Sequence, residues 1–547
     1  MDDDGPELVE TRGGLNVRYR GRLLYSERGP VSSATRAALA AETGPGRLYL
    51  LPSPALWHGV PELLARMDAG SAVLCVEGEP ALASLALARQ PEGLRGDPRL
   101  SFMASADSRA IVAKAFELGR FRRCVTVRLS GGEAFFSREY REAQASLQAE
   151  FAAFWRSKAA LLSMGRLWAR NVFRNLASLP GIAPRPLPRF PGPVVICGAG
   201  PSLEDTMGLL KRRRDKLAIV ACDTALSALL ADGVVPDLVV CLEGQAYNLP
   251  DFTPLGDRPM AILADLSSHP ATFTAVRGPK HLTAVGIVRS PFLERVRAFL
   301  PGALPCPPLG SVGVHAVHAV RRMSDGPIFV TGLDFSWETG KSHARGTPAL
   351  EAETRSMDRL RRYPRQVAGS FRAGVLRAPE CVEKGREGRS GPAGPLITDP
   401  ALSAYAALLA DELSRPGPQV YDLRCKGLPI GACAAEPEDV DRFLEAANGA
   451  AAAAMVESPE GSADAAALRA FFAAERARLD FLHDAMKGRL PLARRDFIAA
   501  VCESDYLLWS LPDDERLQET PQDLLNRILV ETEYWRWKLE DIASILG

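Results

Sequence analysis

Four groups of residues in this chain of 547 have the types and spacing to hold a phosphorylated ligand and act on it. The first, Gly198-Ala199-Gly200-Pro201-Ser202, directly follows the apolar run Val194 to Cys197. Glycines lacking a Cβ let backbone N–H groups approach an anion, and Ser202 is a good N-cap for a helix whose positive end faces the same way. The second group is Asp223, Thr224 and Glu243, each at the end of a short apolar run (Leu217 to Ala221, Leu238 to Leu242). Carboxylates at neighbouring strand ends accept hydrogen bonds from ribose hydroxyls or a base. The third is Gly310-Ser311, small residues where another helix begins. In the fourth, the run Ile328 to Thr331 ends in Gly332-Leu333-Asp334, and a loop then delivers His343. Of the seven histidines, His343 is the best placed general base, because it follows a strand-end acid on a loop and an unperturbed imidazole titrates near neutrality.

Other chemistries fail on spacing. A dinucleotide fingerprint needs a third glycine where Leu203 stands, and Pro201 alters the turn, so ordinary NAD binding is excluded. Gly340-Lys341-Ser342 copies the end of a P-loop, but Phe335 occupies the place of its first glycine. His315 and His318 are three apart with no third ligand nearby in sequence, so no metal is expected there. Lys211 to Arg214 sits late in a helix, where cations complement the dipole, and reads as a solvated face. Asp237 precedes its strand, opposite Glu243, and suits a turn. Ten dispersed cysteines without a CxxC pair read as small buried residues. Formal net charge is zero, which gives no reason to expect a nucleic-acid partner. No apolar run reaches the roughly 20 residues of a membrane helix, and the acidic start MDDDGPELVE is unlike a signal peptide. No membrane association and a cytoplasmic location are expected.

The elements that must position these groups form an α/β protein. Residues 1–190 read as a degenerate Rossmann-like N-terminal domain: a hairpin over Leu15 to Tyr25, a helix over Val31 to Glu42, and a βαβ pattern over Arg47 to Val76 that ends in Glu77. Pro52-Ser53-Pro54 replaces its glycine loop, so Glu77 is read as structural. A long helix from Glu142 to about Ser178, broken near Ser163 to Gly165, precedes a linker with six prolines between Pro180 and Pro193. Residues 191–435 read as the central Rossmann-like domain, with strands at Val194, Leu217, Leu238, Met260, His281, Ile328 and Val420. Thr354 to Gly394 shows no periodicity and is basic, an excursion from the fold. Residues 436–547 show helical spacing near 3.6, and any homo-oligomer or protein contacts are expected there.

GAGPSL (198–203), CDTALSALLADGVVPDLVVCLE (222–243), GSVGVHAVHAV (310–320) and VTGLDFSWETGKSHARGT (330–347) together resemble the motility-associated factor (Maf) glycosyltransferases, whose core is a 6-hydroxymethylpterin pyrophosphokinase MptE-like domain. VETRGGLNVRYRGRLLYS, LWARNVFRNLASLP and LITDPALSAYAALL extend the resemblance over most of residues 8–433. The same core segments are similar, more distantly, to small bacterial sialyltransferases with GNGPSL, Cys-Asn, Ser-Gly and GIDFY motifs. Here Ala199 and Asp223 each replace an asparagine, and Ser336 replaces a tyrosine. The resemblance implies a central sialyltransferase-type fold and metal-independent, inverting transfer of a nonulosonic sugar from a CMP donor to Ser or Thr of flagellin, without a cofactor. It assigns donor contacts to Gly198, Ala199, Gly200, Pro201, Ser202, Asp223, Thr224, Glu243, Gly310, Ser311, Gly332 and Asp334, and the base to His343. The domain name implies an alternative, Mg-ATP-dependent pyrophosphorylation of a hydroxymethylpterin with Asp223 and Glu243 on the metal. A third reading is a non-catalytic flagellin-binding factor.

Overall fold

A computed structural model describes residues 5–68, 70–285, 290–300, 302–338, 341–360, 396–446, 455–459, 461 and 463–546. The two compact units meet in sequence between Leu161 and Leu162, inside the helix Ser137–Ala177. That helix is continuous where Ser163 to Gly165 suggested a break. Gly165 serves close packing instead: a Cβ there would lie 2.7 Å from Cβ of Trp509.

In the first unit, β1 (Glu7–Thr11), β2 (Gly14–Tyr19) and β3 (Arg22–Leu23) form an antiparallel sheet turned at Gly21, whose φ of +74° favours glycine. The βαβ pattern builds a four-stranded parallel sheet of β4 (Arg47–Pro52), β5 (Ala72–Val76), β6 (Leu100–Met103) and β7 (Arg123–Thr126), in the order β6-β5-β4-β7. β6 and its flanking helices Pro80–Ala88 and Ser108–Leu118 were not legible as elements. Glu77, at the end of β5, is buried and accepts the N–H of Glu79.

The second unit carries the larger sheet. β8 (Val194–Cys197), β9 (Ala218–Cys222), β10 (Leu238–Cys241), β11 (Ala261–Asp265), β12 (Lys280–Val285) and β13 (Leu304–Cys306) step outward on one side. The chain then returns to the other side of β8 with β14 (Ile328–Thr331). Beyond it lie β17 (Val420–Asp422) and β18 (Cys433–Ala434), while β15 (Trp337–Glu338) and β16 (Leu396–Ile397) pair separately. All pairings in the nine-stranded sheet are parallel. The runs are apolar without alternation because helices cover both faces. Val194, Ile196, Val220 and Val240 pack with Val314 and Val317 of the helix Val312–Met323 in one core. Strand order reverses between β8 and β14, and the carboxyl ends of strands at such a reversal are where open α/β sheets form a ligand crevice.

Part of the sequence expectation for Thr354 to Gly394 falls on the helix Pro348–Arg355, and residues 361–395 lie outside the described residues. So do Gly340 and Ala450 to Ala454. The helical spacing after residue 436 is realised as Pro437–Ala446, Ala465–Met486, Arg494–Glu503 and Gln522–Ala543. Lys211, Arg213 and Arg214 pair with Asp232, Asp441 and Asp237. Among the described residues the cysteines are free thiols, and no helix is long and apolar enough to cross a membrane.

Candidate active site

At the reversal the loops after β8 and β14 grip each other. Gly198 N–H donates to Thr331 O at 2.8 Å, Gly200 N–H to Gly332 O at 2.8 Å, and Ser202 N–H to Asp334 Oδ2 at 2.8 Å. Ser202 Oγ donates to Asp334 Oδ1 and accepts Gly332 N–H at 3.1 Å. These amides therefore have protein partners, which corrects the expectation that the loop at Gly198, Gly200 and Ser202 presents them to a phosphate. The glycines are needed for backbone packing: a Cβ on Gly200 would stand 2.6 Å from Asp334 Oδ2, and Gly332, at φ +66°, presses on the Gly198 carbonyl. Asp334 is 3% exposed. Its carboxylate fastens the two loops and is not a donor contact, and Ser202 makes no side-chain cap to its own helix. That helix, Leu203–Arg212, closes its first N–H groups on Gly200, Pro201 and Ser202 carbonyls. Ala199 and the ring of Pro201 remain at the carboxyl edge.

Asp223 is likewise committed. At 2% exposure it accepts Thr224 N–H at 2.9 Å and Asn248 Nδ2 at 3.0 Å. Burial raises its pKa, against those hydrogen bonds. A second carboxyl, Asp251, is pushed up to about 7 by burial and by the Asp223 charge. Asp223 thus orders the end of β9, while Thr224 and Glu243 stay partly exposed. Glu243 accepts Gln245 N–H through Oε1.

Gly310 has φ +68° and packs on Tyr405, and Ser311 opens the helix Val312–Met323 without capping it. Among the described residues the N–H groups of Val312, Gly313 and Val314 have no acceptor. Their dipoles align at an uncapped, twelve-residue helix, so this start has the donors for an anion that the first glycine loop has used up.

His343 stands on a loop tied down from several directions. Ala344 N–H donates to Ala199 O at 2.8 Å, Lys341 Nζ lies 2.9 Å from Glu204 Oε2, and Arg345 N–H donates to Glu204 Oε1 at 2.7 Å. Thr347 caps the helix that follows. Ser342 Oγ donates to Glu353 Oε2 at 2.6 Å, so its lone pair accepts Nδ1–H of His343 at 2.8 Å. That assigns the tautomer and leaves Nε2 with a lone pair. Burial lowers the pKa of the imidazole, and the Glu353 charge opposes the shift. The ring is neutral and basic at Nε2 near neutral pH, as a proton acceptor must be.

No group of three or more candidate ligand side chains suited to a metal occurs among the described residues, His315 and His318 included. Both rings are buried in hydrogen-bond chains. Thr283 Oγ1 donates to Asp265 Oδ2 at 3.2 Å and accepts His315 Nε2–H at 3.1 Å, and His318 Nδ1 lies 2.9 Å from Glu412. Desolvation takes the pKa of His315 down to about 4.

Two residues that sequence reasoning missed hold this edge together. Asn171 Nδ2 donates to Gly244 O at 2.8 Å and Ser267 O at 2.9 Å, and Asn175 Nδ2 to Leu266 O and Ser268 O, both at 2.8 Å. They lock the loops after β10 and β11. Their signal was two asparagines four apart on the helix face shared with Trp168 and Val172.

Residues 170–340 match the family 6-hydroxymethylpterin diphosphokinase MptE-like. Over 572 aligned residues, 99% of this chain and 96% of the other, the sequence is 28% identical to an uncharacterized protein of Treponema pallidum (strain Nichols). A second uncharacterized protein of that organism is 36% identical over 83 residues, 15% of this chain and 39% of its own. The structure aligns with that of a Maf glycosyltransferase from Magnetospirillum magneticum AMB-1 at a TM-score of 0.57 and 14% identity, covering 100% of this chain and 95% of that one. Residues 170–340 are thus similar to the MptE-like domain, in a chain that has the fold of the Maf glycosyltransferase.

Proposed function

We propose that the protein is a metal-independent, inverting glycosyltransferase that moves a nonulosonic sugar from a CMP donor to Ser or Thr of flagellin in the cytoplasm. The observation that carries this reading is the Glu353–Ser342–His343 chain, which leaves Nε2 as an acceptor on a loop bonded to Ala199. His343 Nε2 takes the proton of the acceptor hydroxyl, the oxygen bonds to the anomeric carbon, and the bond from that carbon to the phosphate oxygen breaks with inversion. CMP departs with the electron pair, its phosphate held by the open N–H groups at Val312 to Val314. Glu243, Thr224 and Ala199 are left to meet the nucleoside. Flagellin, CMP-sugar and cytoplasm come from the sequence resemblance, and the fold agrees with a glycosyltransferase.

The MptE-like match favours a second reading, transfer of diphosphate from Mg-ATP to a hydroxymethylpterin. It asks Asp223 to ligate Mg²⁺, yet both oxygens of Asp223 take hydrogen bonds from Thr224 and Asn248. Thermal melting decides between them: CMP in EDTA raises Tm if the transferase reading holds, whereas stabilisation by Mg-ATP alone overturns it. Intact mass of co-expressed flagellin then tests transfer itself. A wild-type protein that leaves the flagellin mass unchanged refutes the acceptor assignment.

A further inference from the structure

The helix that carries Asn171 and Asn175 carries beside them Arg170 and Arg174, one turn apart. Both arginines are half-buried, and neither guanidinium has a hydrogen-bond or ion-pair partner among the described residues. Nε of Arg170 is fully buried and unsatisfied. A buried guanidinium N–H without an acceptor is uncommon. On the same stretch of helix, Asn175 bonds the carbonyls of Leu266 and Ser268, which lead directly into His269. His269 accepts Ala271 N–H at Nδ1, 3.2 Å away, so the neutral ring carries its proton on Nε2 and offers another donor. The charges of both arginines act on His269, opposing its protonation after burial itself. Asp541 senses Arg174 but binds Lys538 Nζ at 2.5 Å. His269 N–H in turn donates to Glu243 O at 2.9 Å, which joins this cluster to the carboxyl edge of the sheet.

We propose that Arg170, Arg174 and the Nε2–H of His269 form an oxyanion subsite at the ends of β10 and β11, which takes the carboxylate or phosphate of the substrate. Two guanidiniums offer planar pairs of N–H donors that match such a group, and a helix-borne pair held by the asparagine clamp is rigid before the ligand arrives. The proposal deepens the transferase reading in one respect: a nonulosonic sugar brings a carboxylate in addition to the CMP phosphate, and the helix start at Ser311 accounts for only one anion.

Calorimetric titration of wild type, Arg170→Gln and Arg174→Gln with CMP and with CMP-N-acetylneuraminate tests it. Either substitution is expected to weaken CMP-N-acetylneuraminate by about tenfold or more. Unchanged CMP affinity then identifies the carboxylate as the bound group, and an equal loss for CMP identifies the phosphate. The variants remove unpaired charges, so their melting without ligand should stay within a degree or two of wild type. Wild-type affinity for CMP-N-acetylneuraminate in both variants overturns the subsite. If wild type binds neither nucleotide, the transferase reading falls, and inorganic pyrophosphate becomes the probe. Stabilisation by pyrophosphate that is lost in Arg170→Gln/Arg174→Gln upholds the subsite, and equal response of the two proteins refutes it.

Discussion

Ala344 donates its backbone N–H to the carbonyl of Ala199 at 2.8 Å, so the loop bearing His343 hangs on the residue between Gly198 and Gly200. The imidazole of His343 is therefore placed by main chain, and the side chain of Glu204 adds a second tether through Lys341 and Arg345.

His343→Ala should lower transfer to flagellin by about 10²- to 10⁴-fold and leave CMP affinity at the wild-type value. In wild type the acid limb of kcat/KM should fall below pH 6.5, because burial lowers the imidazole pKa from that value. A limb at or above 6.5, or CMP binding lost with the ring, would dissociate His343 from the base role.

Glu204→Ala frees Lys341 and Arg345 while leaving the sheet intact. Lys341 is partly and Arg345 largely exposed, so the stability change should stay within about 1 kcal/mol. Turnover should drop more than melting does, since the loop loses its tether. Hydrogen exchange over residues 341–347 gives the direct measurement, with faster exchange expected there.

Gly332→Ala should disrupt folding. The new Cβ would run into the Gly198 carbonyl, and φ of +66° disfavours any L side chain. Overpacking and backbone strain together predict a loss of about 2–5 kcal/mol. Ser202→Ala leaves Asp334 buried with one oxygen unbonded and should cost about 1–3 kcal/mol. Urea unfolding of the three proteins gives the ranking, and Gly332→Ala near wild-type stability would refute the close-packed seam.

His315 sets an acid limit on stability. Its folded pKa of about 4 lies below the ordinary 6.5, so the neutral ring contributes fully above pH 6.5 and the contribution is lost as pH falls toward 4. The linkage predicts a loss of about 3 kcal/mol by pH 4. His315→Gln keeps a donor where Nε2–H bonds Thr283 and cannot titrate, so its melting temperature should fall less steeply between pH 6.5 and 4.

Much of the fold was legible because its strands are short apolar runs bounded by glycine, proline or an acid. Val194 to Cys197, Ile328 to Thr331 and Arg47 to Leu51 needed no tertiary information, since a strand buried on both faces cannot alternate. β13 was missed because Leu304-Pro305-Cys306 is three residues long with a proline in its middle. The break expected at Gly165 was misread because a helical glycine signals weakness locally, whereas here it makes room for Trp509.

The sequence by itself determined which residues reach the carboxyl edge of the central sheet, since strand ends and helix starts are local properties. It also marked His343 as a histidine on a loop that follows an acidic strand end. Tertiary structure decided what those residues do there. Gly198 and Thr331, or Ser202 and Asp334, are more than a hundred residues apart in the chain, and only the crossover that lays β14 against β8 reveals that their hydrogen bonds are spent on each other. The N–H groups of Val312 to Val314 stay open at their helix start, and Asn171 and Asn175 clamp loops 73 to 96 residues away in the chain. Whether a polar group is free for a ligand depends on every neighbour it meets, and that information is nowhere in its own segment.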